Sequence, residues 1–85
     1  MEVKEVEQLQ PIIELSLKST YGEHIQDIEL LRATQIPILD EEKELWRTSV
    51  EFNNGTTKYE VSIDIRIADG TVKRTEEIVK QPLTK

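Results

Sequence analysis

Between Tyr59 and Ile67 apolar and polar positions alternate without a break. Tyr59, Val61, Ile63, Ile65 and Ile67 take every second place, and Glu60, Ser62, Asp64 and Arg66 fill the gaps. A strand sends successive side chains to opposite faces, so this period of two gives one apolar face and one wet face. Asn54-Gly55 precedes the stretch and Asp69-Gly70 follows it. Both dipeptides signal hairpins, so the pattern predicts a central antiparallel strand with a hairpin on each side.

The N-terminal neighbour, Leu45 to Asn53, alternates in the same way: Trp46, Thr48, Val50 and Phe52 share one parity, Arg47, Ser49, Glu51 and Asn53 the other. A two-residue turn at Asn54-Gly55 sets Asn53 against Thr56, Phe52 against Thr57, Val50 against Tyr59, Thr48 against Val61 and Trp46 against Ile63. The large apolar residues then fall on one side. On the other, Glu51 lies opposite Lys58, and Arg47 is diagonal to Glu60 and Asp64. Cross-strand pairs of this kind contribute about 0.2–1 kcal/mol each.

The C-terminal neighbour, Thr71 to Lys80, fits less cleanly. An Asp69-Gly70 turn puts Val72 opposite Ile67 and Ile78 opposite Val61, but turns Arg74 and Glu76 toward the core. A shift of one residue puts Arg74 opposite Asp64 and turns Lys73 and Glu77 inward instead. A strand that carries charges inward in either register reads as a sheet edge, where such charges discourage pairing with another chain.

Upstream, the spacing predicts a helix from Pro11 to about Thr20, because proline suits the first helical position. A longer helix from near Glu2, kinked at Pro11, is the second reading. Ile13, Leu17 and Tyr21 form its apolar stripe and Gly22 its stop. Residues 28–36 lack a clean face; they read as a strand with a bulge, with a helix through Ile28, Leu31 and Gln35 as the alternative. Pro37 ends this segment, and Asp40-Glu41-Glu42-Lys43-Glu44 forms a charged connection. The expected fold is therefore α+β: one N-terminal helix packed on a four-stranded antiparallel β-meander. Residues 1–10 form an arm or first helical turns, 11–80 a single domain, and 81–85 a flexible tail. The expected core is Ile13, Leu17, Tyr21, Ile28, Leu30, Trp46, Val50, Phe52, Tyr59, Val61, Ile63, Ile65 and Ile67.

Eighty-five residues suffice for one modest core. Charged residues make up 33% of the chain; the periodic runs of apolar residues set it apart from a disordered chain of similar charge. The net charge of −6 disfavours phosphate backbones, so nucleic acid is not an expected partner. No apolar run reaches transmembrane or signal-peptide length, so no membrane association and a cytoplasmic location are expected. The chain has no cysteine, which removes thiolate chemistry and disulfides.

Candidate chemistry is sparse. His24, the one histidine, sits at the helix exit with only Glu23 or Asp27 nearby to orient it, so a solvated turn residue is expected rather than a general base. The 40–44 carboxylates lack the acid spacing and glycine of a calcium loop. Gly22, Gly55 and Gly70 all belong to turns, which leaves no phosphate loop. No catalytic, metal or cofactor-binding residue is expected, and the protein is not expected to be an enzyme. The wet sheet face and the last strand supply candidate partner contacts: Arg47, Glu51, Lys58, Glu60, Asp64, Arg66, Lys73 and Arg74.

A helix, a strand, then Trp46-x-x-x-Val50-x-Phe52, Tyr59-Glu60-Val61-x-Ile63-Asp64 and Asp69-Gly70-x-Val72 is an order that resembles PepSY-type domains. From Trp46 through Arg74 the chain also looks similar to the gas-vesicle accessory protein O family. These resemblances imply a non-catalytic module that binds or helps assemble other proteins. Self-association through a strand edge or the wet sheet face is the other form of partnering expected from the residues. The alternative expectation is a small-ligand pocket between helix and curved sheet.

Overall fold

The computed structural model describes residues 2–36 and 44–83. A 3₁₀ turn, Val6–Gln8, leads into helix α1, Leu9–Tyr21. Four antiparallel strands follow: β1 Gln26–Ile36, β2 Leu45–Asn53, β3 Thr57–Arg66 and β4 Val72–Pro82. They lie side by side in chain order, so β2 and β3 are internal and β1 and β4 are the edges. The fold is the α+β arrangement expected from the sequence, with residues 28–36 a strand and not a helix. Pro37 and the charged run from Asp40 to Lys43 lie outside the described residues.

Pro11 is the third residue of α1, which begins two residues earlier than expected. The first-turn N–H groups of a helix have no intrahelical partner, so proline loses nothing there. Upstream, the Gln8 side-chain oxygen accepts from the N–H groups of Lys4 and Glu5 at 2.8 and 2.9 Å, and its amide donates to the Glu2 carbonyl at 3.1 Å. These bonds close the arm on itself, and the Val3 N–H donating to the Ile67 carbonyl lays it against the sheet. Gly22 ends the helix with φ at +103°, its N–H donating to the Lys18 carbonyl.

Leu9, Ile13 and Leu17 of α1 pack with Trp46, Val50, Phe52, Tyr59, Val61, Ile63 and Ile65 on the inner face of the sheet. Val3, Leu9 and Ile25 also belong to the buried core and were not among the expected residues; Tyr21, Ile28, Leu30 and Ile67 are only partly buried. At the far end of the helix Tyr21, Phe52 and Tyr59 pack with ring centroids 4.9–5.2 Å apart. The Tyr21 hydroxyl donates to Glu77 at 3.2 Å. Burial first, then this bond to a carboxylate, pushes the phenol up to about 12. Thr48, the one buried inner-face hydroxyl of β2, donates to the Ile63 carbonyl at 2.8 Å.

The β2–β3 register differs from the expected one by two residues: Asn53 pairs with Lys58, Phe52 with Tyr59, Val50 with Val61, Thr48 with Ile63 and Trp46 with Ile65. The turn explains the slip. Gly55 has φ at +93° while Asn54 stays out of the left-handed region, so Gly55 and Thr56 are the two central residues. Asn54 N–H donates to the Thr57 carbonyl, and Asn54 Oδ1 accepts from the Thr57 N–H at 2.8 Å. Glycine at the first central position is one of the two favoured hairpin geometries. A shift of two preserves parity, so every side chain keeps its face.

The β3–β4 hairpin closes at Arg66, whose N–H donates to the Thr71 carbonyl at 2.8 Å. The loop is thus Ile67–Gly70, wider than the expected Asp69-Gly70 turn, because the Ile67 N–H is taken by the Glu44 carbonyl. Pairing begins as Ile65 with Val72, runs through Asp64–Arg74, Ile63–Thr75 and Val61–Glu77, and continues as Glu60–Val79 to Thr57–Pro82. The expected pairs Val72–Ile67 and Ile78–Val61 are therefore not made: the strand starts in a third register, takes the Arg74–Asp64 register in the middle and reaches the offset of the Asp69-Gly70 register only beyond the bulge at Ile78, with Arg74 facing outward and Glu77 in. The expected tail is also corrected: Gln81 and Pro82 pair with Lys58 and Thr57, and the Leu83 N–H donates to the Thr56 carbonyl at 2.9 Å.

Every bulge falls on an edge strand. β1 slips between Gln26 and Glu29 and between Leu30 and Arg32, and β4 slips at Lys73 and Ile78. The first slip holds Asp27 at φ +56°, where its carboxylate accepts from the Asn53 amide at 2.8 Å.

Candidate interaction face

The parity of β2 and β3 sends Arg47, Ser49, Glu51 and Asn53, and Lys58, Glu60, Ser62, Asp64 and Arg66, to the face opposite α1. No described helix lies on that face. The register sorts it into rows that run across the strands, and those rows could not be read from the alternation alone.

One row is Thr34, Arg47, Asp64 and Arg74. Arg47 Nε and Nη2 donate to the two Asp64 oxygens at 3.1 and 3.3 Å, and Arg74 Nε lies 3.3 Å from Oδ2. Asp64 is thus covered by its own counter-ions, with its side chain 5% exposed against about half for each arginine. The carboxylate raises the Arg47 guanidinium above its usual value through the hydrogen bond first and the charge second. Arg74 Nη1 also donates to Glu76 at 2.7 Å. Two long side chains are therefore held by Asp64 while remaining about half exposed, which lowers the ordering cost of docking.

The next row is small: Ser49 opposite Ser62, flanked by Arg32 on β1 and Glu76 on β4. Beyond it lies an acidic row in which Glu29, Glu51 and Glu60 stand directly opposite one another. Like charges directly opposite across a ladder are destabilising. Lys58 relieves only Glu51, diagonally, at 3.3 Å. The expected Glu51–Lys58 contact exists, but as a diagonal, and the expected Arg47–Asp64 diagonal is a direct pair.

Arg66 lies at the end of the face and pairs with Asp69, whose carboxyl the guanidinium holds well below the usual carboxylate range. Lys73 occupies a bulge of β4 and is exposed. Seven of the eight expected contact residues therefore share one face and Lys73 stands at its edge. Three contributors escaped the sequence reading: Glu29 and Arg32 on β1, whose bulges hide the period of two, and Glu76, set outward by the β4 bulge. The face carries five bases, Arg32, Arg47, Lys58, Arg66 and Arg74, and five acids, Glu29, Glu51, Glu60, Asp64 and Glu76. Asp27, on the Asn53 amide, and Asp69, on Arg66, add two acids at its ends.

Elsewhere, a groove of about 410 Å³ runs between α1 and the start of β4, lined by Ile12, Leu15, Ser16, Ser19, Thr20, Gly70 and Val72. It has no charged group in its lining. His24 is exposed, and its ring packs against Gly22, where an added Cβ would come within 2.8 Å of Cε1. Among the described residues no group of three or more His, Asp or Glu side chains is placed to hold a metal ion, and no helix is long and apolar enough to cross a membrane. No family model, curated protein or solved structure matches the chain.

Proposed function

We propose that this protein is a small non-catalytic interaction or assembly module of the cytoplasm, and that it docks through the sheet face opposite α1. The observation that carries this reading is the pairing of rows on one uncovered face: arginines immobilised on Asp64, and three glutamates aligned beside them at an electrostatic cost. Sequences that break a local rule do so where function requires it. The bulges on both edge strands argue in the same direction, since they interrupt the hydrogen-bonding rims that would otherwise accept another strand. Docking is therefore assigned to the face and not to an edge.

The test is a photo-crosslinking residue placed at Ser62 on the face and, separately, at Lys18 on the exposed side of α1, with irradiation in the cells that make the protein. Discrete adducts at Ser62 and not at Lys18 are expected. No adduct at Ser62, or equal labelling at both positions, would remove the reading. The groove between α1 and β4 supports a second reading, a small apolar ligand held by Ile12, Leu15 and Val72 beside the hydroxyls of Ser16, Ser19 and Thr20. A panel of small apolar ligands that leaves the melting temperature unchanged would dispose of it.

A further inference from the structure

We infer that the β2–β3 turn is a covalent modification site, at which Asn54 loses ammonia to the Gly55 nitrogen and becomes aspartate. The chemistry is separate from docking and does not depend on it. Asparagine is a labile residue, and it cyclises onto the next peptide nitrogen where the following residue has no side chain to crowd the attack. The chain has two asparagines, Asn53 and Asn54. Asn53 is held at both ends of its amide: Nδ2 donates to Asp27 at 2.8 Å, and Oδ1 accepts from the Gly55 N–H at 3.0 Å. Asn54 differs. Its Oδ1 accepts from the Thr57 N–H, the Thr56 hydroxyl and the Thr56 N–H at 2.8, 3.0 and 3.1 Å. Among the described residues its Nδ2, the leaving group, makes no hydrogen bond. Beyond its chain neighbours, a Cβ added at Gly55 would meet Gln26 Nε2 at 3.6 Å, an ordinary contact, and Gly55 and Thr56 are exposed.

The step needs only the turn and water. Hydroxide takes the Gly55 N–H proton from its bond to Asn53, and the nitrogen adds to Asn54 Cγ. Negative charge gathers on Oδ1, where three donors already stand at 2.8–3.1 Å, as in an oxyanion hole. The Cγ–Nδ2 bond breaks, and ammonia leaves with a proton from water. Water then opens the five-membered imide. Cleavage between the Gly55 nitrogen and Cγ gives aspartate; cleavage between that nitrogen and the backbone carbonyl carbon gives isoaspartate. The donors on Oδ1 polarise Cγ and direct water to it, so the folded turn yields aspartate. That product also fits. A carboxylate oxygen keeps all three donors, now as charge-assisted bonds, and the Asn54 N–H still donates to the Thr57 carbonyl. Isoaspartate lengthens the backbone by a methylene and disturbs that closure. Asp69-Gly70 is not a second site, because the Gly70 N–H is tied to the Arg66 carbonyl at 2.8 Å. Arg66 and the Thr71 N–H also hold Asp69 as a carboxylate, which is a poor electrophile.

Peptide mapping by mass spectrometry provides the test, on the folded chain kept for weeks at mildly alkaline pH and on a parallel sample in urea. Conversion at Asn54 is expected in the folded chain, without conversion at Asn53 or isomerisation at Asp69. Aspartate is expected as the main product when folded, and isoaspartate, the usual outcome in a free chain, in urea. Thr56→Val removes the hydroxyl donor from Oδ1. It is expected to slow conversion several-fold in the folded chain and to leave the rate in urea unchanged. Asn54→Asp is expected to melt at or above the native chain at neutral pH. A folded chain that keeps Asn54 overturns the proposal, as does equal conversion at Asn53 or the same product ratio in both samples. An Asn54→Asp chain that melts below the native one overturns it as well. If Thr56→Val does not fold, the product ratio and Asn54→Asp still decide.

Discussion

The Trp46 indole N–H donates to the Val3 carbonyl at 2.7 Å, across forty-three positions of sequence, and the Val3 N–H donates in turn to the Ile67 carbonyl at 2.7 Å. These two bonds sew the N-terminal arm to the ends of β2 and β3, and Val3 is fully buried. Trp46→Phe leaves a buried carbonyl without its donor and also vacates part of the indole's buried space, so a loss of at least about 1–3 kcal/mol is expected. Urea titration followed by far-UV circular dichroism checks it; an unchanged midpoint would show that the arm contributes nothing.

Ile63 is fully buried at the centre of β3. Ile63→Ala removes three carbons from a site walled by sheet and helix, and a loss of about 2–5 kcal/mol is expected. A loss below about 1 kcal/mol in the same titration would place the core elsewhere.

Asp64 has two arginines, so either can cover it when the other is removed. Arg47→Ala and Arg74→Ala singly are each expected to lower the melting temperature slightly. The double variant is expected to lower it by more than the sum, because it leaves a buried carboxylate uncompensated. Calorimetry on the four proteins of the cycle reads this directly, and simple additivity would mean that the two arginines do not share the carboxylate.

Tyr21 makes stability depend on alkaline pH. Its phenol titrates at about 12 in the folded chain against an ordinary 10.0, so the folded state holds the proton more tightly. The contribution is complete below the ordinary value and is lost as pH rises from about 10 to about 12. Melting temperatures measured over that window should fall more steeply for the native chain than for Tyr21→Phe. Asp69 has the opposite sign. Its lowered carboxyl contributes above the ordinary 3.8, and that contribution is lost as pH falls through the depressed value. Asp69→Asn should flatten the acid limb.

Alternation in 45–53 and 59–67 determined two strands, their apolar faces and the antiparallel meander, because period and turn chemistry are local properties of the chain. The same alternation determined that Arg47, Glu51, Lys58, Glu60 and Asp64 share a face, since a register slip of two leaves every side chain on its side. Which of them touch was decided by tertiary structure. It depended on whether glycine took the first or second place of the turn, and on bulges at Lys73 and Ile78 that divide β4 among three registers. The arm was hidden for a different reason. Val3 is buried because Trp46 and Ile67, distant in sequence, present a donor and an acceptor to it, whereas Leu9 extends the Ile13–Leu17 stripe by one turn and was hidden by an expected helix start at Pro11. The glutamate row is decided in the same way: Glu29, Glu51 and Glu60 come from three strands, and only the pairing of those strands makes them neighbours.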